Sequence, residues 1–247
     1  MKKIVFLGSK PIGYLCFKHL IEHQTSHNFT IIGILTNNNK RFGEEYDIPQ
    51  LAKKHNIPLI PSLDELMKLP DIDIMFSIQY HQILKKHHIQ KANEIAINLH
   101  MAPLPEYRGC NQFSFAIINN DKTFGTTIHQ IAEGIDNGPI LFEKRFPMPE
   151  NCFVQDLYDI TFQKSLELFE ENALKIIAGD YTLTNQEDLI EKRGTSLHYR
   201  KEMQALKQID LSWPKEKIER YIRATSMPGF SPSFTFVNGK KINFSFE

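Results

Sequence analysis

The first hundred residues alternate between two hydrophobic periods, and this alternation limits the possible folds more than any other feature. Ile4-Val5-Phe6-Leu7 is an unbroken apolar run ending at Gly8, the pattern of a strand buried on both faces. After Pro11, the residues Ile12, Leu15, Cys16 and Leu20 recur on one helical face. Pro11 suits the first turn, where its missing N–H is not needed. A β-branched run at 30–35, a polar loop at 37–47, a helix through Leu51 and Ala52 and a strand at Pro58-Leu59-Ile60 follow. Ser62 and Glu65 read as a capping box for a helix carrying Leu66 and Leu69. Further strands are predicted at 72–78 and 95–99, with a helix near 81–89 between them. Strand–helix alternation of this kind predicts βαβ units with right-handed crossovers.

Beyond residue 100 the pattern changes. A proline-containing loop from His100 to Cys110 leads to a helix at 111–119 and two strands, 125–131 and 140–146, able to pair. A long helix at 154–177 carries an apolar stripe of Tyr158, Phe162, Leu166, Phe169, Ala173 and Ile176. A boundary near Gly179 divides a main domain, 1–179, from an extension, 180–247, that holds a helix at 215–225 and an alternating stretch at 234–246. Asn238-Gly239 inside that stretch is a hairpin signal, because both turn positions need positive φ. Phe234 and Phe236 on one strand, with Ile242, Phe244 and Phe246 on the other, are expected to form one apolar face. The resulting fold class is α/β: a Rossmann-like, mostly parallel sheet with flanking helices and a small C-terminal extension with a β-hairpin.

Lys plus Arg and Asp plus Glu each number 29, so the formal charge is zero. No long-range field then draws in a nucleic-acid backbone. Three widely spaced cysteines, Cys16, Cys110 and Cys152, lack a Cys-x-x-Cys pair and argue for a reducing compartment. The N-terminal apolar run is too short for a signal peptide, and no run nears the roughly 20 residues that span a bilayer. A cytoplasmic protein with no membrane partner is expected.

Several motifs weigh little. Gly8-Ser9-Lys10-Pro11-Ile12-Gly13 sits at a strand-to-helix turn but lacks the glycine spacing of a dinucleotide loop and the Gly-Lys-Ser/Thr of a Walker loop. Lys10 could still reach an anionic ligand from its rim. His81, His87 and His88 have no acidic or cysteine partners at ligand spacing, so a metal is not expected. No G-x-S-x-G elbow exists.

Two segments carry more. Asn98-Leu99-His100 ends a predicted buried strand, beside the crevice where open parallel sheets bind ligands. Residues two apart on a strand share a face, so the amide and the imidazole can act on one atom. The alternative is a polar strand end satisfied by loop backbone. Glu133-Gly134-Ile135-Asp136-Asn137-Gly138-Pro139 brackets an acid with glycines, which allows close backbone approach to a ligand. Its alternative is a plain Asp-Asn-Gly turn.

Together these segments resemble the folate-dependent formyltransferases: Asn-x-His at Asn98 and His100, Pro-x-Tyr-Arg-Gly at 105–109 and Gly-x-Asp-x-Gly at 134–138. The likeness covers roughly residues 1–180. Methionyl-tRNA formyltransferases carry a substantial C-terminal tRNA-binding domain, for which the 68 residues after 179 leave little room. Glycinamide ribonucleotide formyltransferases usually lack the Tyr-Arg-Gly loop. The run through Arg108-Gly109-Cys110-Asn111-Gln112-Phe113-Ser114, with Tyr80-His81-Gln82-Ile83-Leu84 and His198-Tyr199-Arg200-Lys201, is most similar to bacterial sugar N-formyltransferases. The tail is short even for these, so no further binding domain is expected.

The resemblance implies transfer from N10-formyltetrahydrofolate, without a metal, to a nucleotide-linked amino sugar for O-antigen or other surface polysaccharide. The first choice is dTDP-4-amino-4,6-dideoxyglucose. Formyl transfer to methionyl-tRNA or glycinamide ribonucleotide, and a non-catalytic folate- or sugar-nucleotide-binding module, are the alternatives. It implies His100 as base, Asn98 as oxyanion donor and Asp136 as the group orienting His100. Folate would lie along Ser77, Ile78, Gln79 and Tyr80 and the loop Glu133, Gly134, Ile135 and Asp136. The sugar nucleotide would meet Met101, Pro103, Leu104, Pro105, Glu106, Tyr107, Arg108 and Gly109. Arg108 is either a pyrophosphate partner or a structural tie to an acid, since its fork suits both. Lys10, Tyr158 and Tyr199 are further nucleotide contacts, although Tyr158 also fits its helix's apolar stripe. Trp213 could stack on a base or simply pack. A homodimer through the C-terminal region is also implied.

Overall fold

The computed structural model describes residues 1–37 and 43–244, so part of the expected loop at 37–47 and Phe246 lie outside the described residues. In chain order the main elements are β1 (Lys2–Gly8), α1 (Lys10–His23), β2 (Phe29–Leu35), α2 (Ile48–Lys54), α3 (Leu63–Lys68), β3 (Ile72–Ile78), α4 (Lys86–Ile89) and β4 (Ala92–His100). There follow β5 (Arg108–Gly109), α5 (Gln112–Asn119), β6 (Thr123–Gln130), β7 (Ile140–Pro147) and α6 (Val154–Ala178). The chain continues with α7 (Glu187–Arg193), β8 (Leu197–His198), α8 (Met203–Leu206), α9 (Lys215–Thr225), β9 (Phe234–Val237) and β10 (Lys240–Asn243).

The central sheet has the order β2-β1-β3-β4-β6-β7. Pairings among β2, β1, β3 and β4 are parallel, whereas β4–β6 and β6–β7 are antiparallel. The mostly parallel α/β architecture is the one expected. The apolar run of β1 divides between the two faces as a doubly covered strand must. Ile4 and Phe6 pack with α1 and α6, while Val5 and Leu7 pack on the opposite side with Leu63 and Leu66 of α3. The chain leaves β1 for β2 on one side and returns to β3 on the other. The carboxyl ends of β1 and β3 therefore border a switch-point crevice.

Several local expectations change. The helix anticipated at 81–89 shrinks to the four residues of α4, and 58–60 makes only an isolated bridge, Leu59 with Ile34. At α3, Ser62 accepts from the Glu65 N–H at 3.2 Å, but the Glu65 carboxylate turns to Lys68 instead of closing the capping box. On α6 the buried face holds Leu157, Thr161 and Ser165, and Tyr158, Phe162 and Leu166 sit half-buried beside it. The polar members can be buried because each is satisfied: Thr161 donates to the Leu157 carbonyl and Ser165 to Thr126 Oγ1. At the hairpin, Asn238 and Gly239 both have positive φ, 49° and 74°. The resulting register pairs Phe236 with Lys241 and Thr235 with Ile242. The single apolar face is therefore not formed: Phe234 and Phe236 lie on one side of the hairpin and Ile242 on the other.

Among the described residues no helix is long and apolar enough to cross a membrane. Phe169 of α6 is fully buried, with its ring edge-on to Phe76 of β3 at 5.7 Å. Phe169→Ala is expected to lower unfolding free energy by about 3–5 kcal/mol in urea titrations, through lost contacts and a residual cavity.

Candidate active site

The antiparallel pairing of β4 with β6 builds the site. Asn98 and His100 share a face of β4, and the register sets His129 opposite Asn98 and Thr127 opposite His100. Directly opposed residues project to the same side, so four polar side chains meet where β4 ends. Thr127 accepts the Leu104 N–H and donates to the Ala102 carbonyl, fastening the loop that follows β4.

Asp136 enters from the loop between β6 and β7 in the left-handed region, with φ of 46°. Its Oδ2 accepts the Gly109 N–H at 3.0 Å and lies 3.6 Å from His100 Nδ1. Its Oδ1 lies 3.5 Å from Asn98 Nδ2 and 3.6 Å from His129 Nε2. The residue's own carbonyl accepts from Gln186 Nε2, which also donates to the Gly138 carbonyl. Gly138 is needed here, since a Cβ would stand 1.9 Å from the Gln130 carbonyl oxygen. Burial opposes ionisation of Asp136, but the neighbouring His100 and His129 rings, in their protonated form, and the Gly109 N–H outweigh it. The carboxyl is held well below its ordinary range.

Carbonyl partners assign the tautomers. His100 Nε2 is 2.7 Å from the Tyr107 carbonyl, which can only accept, so Nε2 carries the hydrogen and Nδ1 faces Asp136. His129 Nδ1 likewise donates to the Gln130 carbonyl, leaving Nε2 to accept from Asn98 Nδ2 at 3.0 Å. This orients the Asn98 amide with its NH₂ inward. One N–H is taken by His129, and the other makes only the long 3.5 Å contact to Asp136 Oδ1, the weaker commitment and the one a developing oxyanion can draw away.

Asn98, His100 and Asp136 thus come together, with Ser77 in register beside Asn98. Ile78 is buried, Gln79 has positive φ and Tyr80 is half-buried at the end of β3. Glu133 and Gly134 are exposed, and Ile135 is half-buried. In the loop 101–109, expected to meet the sugar nucleotide, most side chains are committed to packing or to partners within the protein. Met101, Pro103, Leu104 and Pro105 are buried, Glu106 is tied to Arg145, and the Tyr107 hydroxyl donates to Asp121. Burial and this bond push the Tyr107 hydroxyl well above its ordinary range. Arg108 makes no ion pair among the described residues, and its Nε is shielded without a partner. The structural tie to an acid is therefore not formed. Gly109, with φ of 86°, passes so near the His198 carbonyl that a Cβ would lie 2.2 Å from it. Tyr158 packs edge-on against Phe113 at 5.7 Å, within its helix's apolar contacts. Tyr199 is 47% exposed. Trp213 lies 4.8 Å from Tyr221, with Lys217 over its ring.

At the switch-point crevice, Lys10 Nζ donates to Gln79 Oε1 at 2.7 Å. Desolvation lowers the Lys10 pKa, and the nearby Arg200 charge lowers it further. Two cations without a carboxylate partner among the described residues, at a crevice beside the buried and unpartnered Ser9 Oγ at the start of α1, suit an anion. Sequence reasoning missed His129, Gln186 and Arg200 as site residues. Only His129 left a signal, as a lone histidine in a β-branched strand. Among the described residues no group of three or more His, Cys, Asp or Glu could hold a metal ion.

A profile described as "Formyl transferase" matches residues 2–171. The GDP-perosamine N-formyltransferase of Brucella melitensis is 29% identical over 170 residues, 69% of this chain and 63% of the relative, so the match spans less than two thirds of that protein. The methionyl-tRNA formyltransferase of Lactobacillus gasseri is 28% identical over 254 residues, 98% of this chain and 77% of the relative. The crystal structure of WlaRD, a sugar 3N-formyl transferase in the presence of dTDP and 5-N-formyl-THF, superposes with a TM-score of 0.79. It is 25% identical, with 98% of this chain and 85% of that chain covered.

The Asp136 carboxyl is depressed in the folded protein, so its stabilising contribution is complete above the unfolded value of about 3.9 and is lost as pH falls below it. Asp136→Asn should therefore lower Tm at neutral pH, and the difference from wild type should narrow below about pH 4 in a pH series of thermal melts.

Proposed function

The chain belongs to the formyl transferase family, and we propose that it moves a formyl group from N10-formyltetrahydrofolate to the amine of a nucleotide-linked amino sugar. One observation carries this reading: Asn98, His100 and Asp136 converge at the carboxyl edge of β4, a few strands from a cationic crevice. A binding module has no use for that trio. The amine nitrogen forms the new C–N bond, the formyl oxygen becomes an oxyanion, and the bond to N10 then breaks. The proton lost by the amine ends on the departing nitrogen.

His100 Nδ1 is the ring atom open to that proton, because Nε2 is committed to the Tyr107 carbonyl. Asp136 stabilises the imidazolium, as in other base–orienter pairs. The Asn98 N–H that otherwise faces Asp136 turns to the oxyanion, a contact typically worth about 10²–10³ in rate. Folate is assigned to the end of β3 at 77–80 and the loop 133–136, which flank Asn98 on either side. The diphosphate is assigned to Lys10 and Arg200, with Arg108 and Tyr199 from the neighbouring β5–β8 region. The unpartnered Arg108 Nε supports its ligand role. Our choice of acceptor is dTDP-4-amino-4,6-dideoxyglucose. A homodimer through the hairpin belongs to this reading, supported by the exposed Phe236, Val237 and Ile242. The likeness to a methionyl-tRNA formyltransferase over 98% of the chain favours one competing acceptor, against which the balanced charge counts.

A panel of dTDP-amino sugars and methionyl-tRNA, ranked by kcat/KM with one formyl donor, tests the choice. The 4-amino-4,6-dideoxyglucose nucleotide should rank first, and a preference for tRNA would overturn the sugar assignment. His100→Asn should lower kcat by about 10²–10⁴-fold and leave donor affinity within a few-fold. Unchanged turnover would remove His100 from the mechanism.

A further inference from the structure

Nothing in the catalytic trio explains why four charged side chains alternate across the outside of the loop that follows β4. Arg193, the last residue of α7, forks onto Glu143 of β7, with Nη1 to Oε2 at 2.9 Å and Nη2 to Oε1 at 2.8 Å. Glu143 Oε2 also accepts from Arg145 Nε at 3.1 Å. Glu143 and Arg145 are two apart on one strand and so share a face. Arg145 in turn clasps Glu106 through both oxygens, at 2.7 and 3.1 Å. The order is plus, minus, plus, minus, and its end is the loop. Glu106, Glu143 and Arg193 are half-buried, and Arg145 is the most open, its side chain 32% exposed. Burial works against the Glu143 charge, yet the bonds from Arg193 and Arg145 hold its carboxyl below the usual range. Forked, networked pairs of this kind do contribute, unlike isolated surface pairs.

The same stretch grips the loop backbone. Arg193 Nη1 reaches the Leu104 carbonyl at 3.4 Å, Ser196 Oγ donates to the Glu106 carbonyl at 2.6 Å, and the Arg108 N–H donates to the Ser196 carbonyl at 3.1 Å. Residues 104, 106 and 108 are thus pinned on both sides of Tyr107, whose carbonyl takes the His100 Nε2–H. None of the four charged groups touches His100. They set the position of the acceptor that sets its tautomer.

We propose that Arg193, acting through Glu143, Arg145 and Glu106, is a positioning residue that keeps the Tyr107 carbonyl on His100 Nε2 and so leaves Nδ1 open to accept a proton. If the loop drifts, Nε2–H loses its partner, and the hydrogen can reside on Nδ1 instead, where it blocks the base. This inference rests on His100 as base. It adds that the base's working tautomer is maintained from the segment after α6.

The test compares Arg193→Met with Lys144→Met. Lys144 sits between Glu143 and Arg145 on β7 and pairs with Glu167 and Glu171 of α6, away from the loop. Removing it takes away a comparable ion pair. Two signals are read: formyl transfer, and the ¹⁵N-bound proton of His100 Nε2 in ¹⁵N-histidine-labelled protein, assigned by its loss in His100→Asn. Arg193→Met should lower kcat about 10–100-fold, the range for a misplaced catalytic group, with donor KM within twofold. It should also broaden or abolish the His100 proton signal. Lys144→Met should keep both. Arg193→Met with kcat within twofold of wild type, or with kcat lost while the proton signal stays intact, overturns the proposal. Should Arg193→Met fail to fold, Glu106→Gln severs the network at the loop and is judged by the same criteria. A wild-type protein that transfers no formyl group would instead sink the proposed activity, and the proton signal would still decide the positioning.

Discussion

The structure of the site depends on one buried carboxylate. Asp136 accepts from the Gly109 N–H and the Asn98 amide and faces two histidine rings, and its own backbone is held by Gln186. These partners come from β4, β5, β6 and the chain just before α7, so one residue joins four segments distant in sequence. A buried anion is costly unless such partners surround it. Because ionised oxygen only accepts, every neighbour must present a donor, or a ring able to take a proton. The chemistry assigned to Asn98 and His100 is therefore written into the way Asp136 is accommodated.

Sheet topology supplies the rest of the geometry. A parallel sheet alone brings strand ends to one edge, as at β1 and β3, where Gln79 and Lys10 meet across the switch point. The change to antiparallel pairing at β6 adds something else. It turns the polar carboxyl end of β4 toward a strand arriving from the opposite direction, so His129 can lie directly across from Asn98. An amide beside an imidazole whose Nδ1 is spent on a carbonyl has its rotamer chosen for it. The two regions proposed to face ligands then lie along one edge, each beside a different strand pair.

Much of this was legible in the sequence, for identifiable reasons. The apolar runs of β1 and β3 and the helical spacing of α1 carry their periods locally, and Asn98 and His100 share a face by strand geometry alone. The pairing of His129 with Asn98 could not be read, because it is set by the register of two strands rather than by any spacing. The loop 101–109 could not be assigned from its composition: Met, Leu and Pro look equally like a ligand wall and a plug, and here Met101, Pro103, Leu104 and Pro105 are buried. At the hairpin the turn was legible from Asn238-Gly239, but strand faces follow from pairing, and a two-residue turn set Ile242 opposite Thr235. The stripe on α6 rotated because Thr161 and Ser165 found internal partners, which hydrophobic periodicity does not count.

The segment after α6 is the part whose role composition hid most completely. Its helices are short and its charges abundant, the usual signature of solvated periphery. Yet Gln186 holds Asp136 and Gly138, the bridge of Thr184 with Ile140 extends the edge of the sheet, and β8 lies parallel to β5. The residues matched by the family profile end at 171 and contain Asn98, His100 and Asp136, but none of these supports. The proposed reacting groups and the groups that restrain them are thus encoded in separate stretches of chain. The first set must suit a single reaction. The second need only present a donor or a charge at the right place, which many sequences could do.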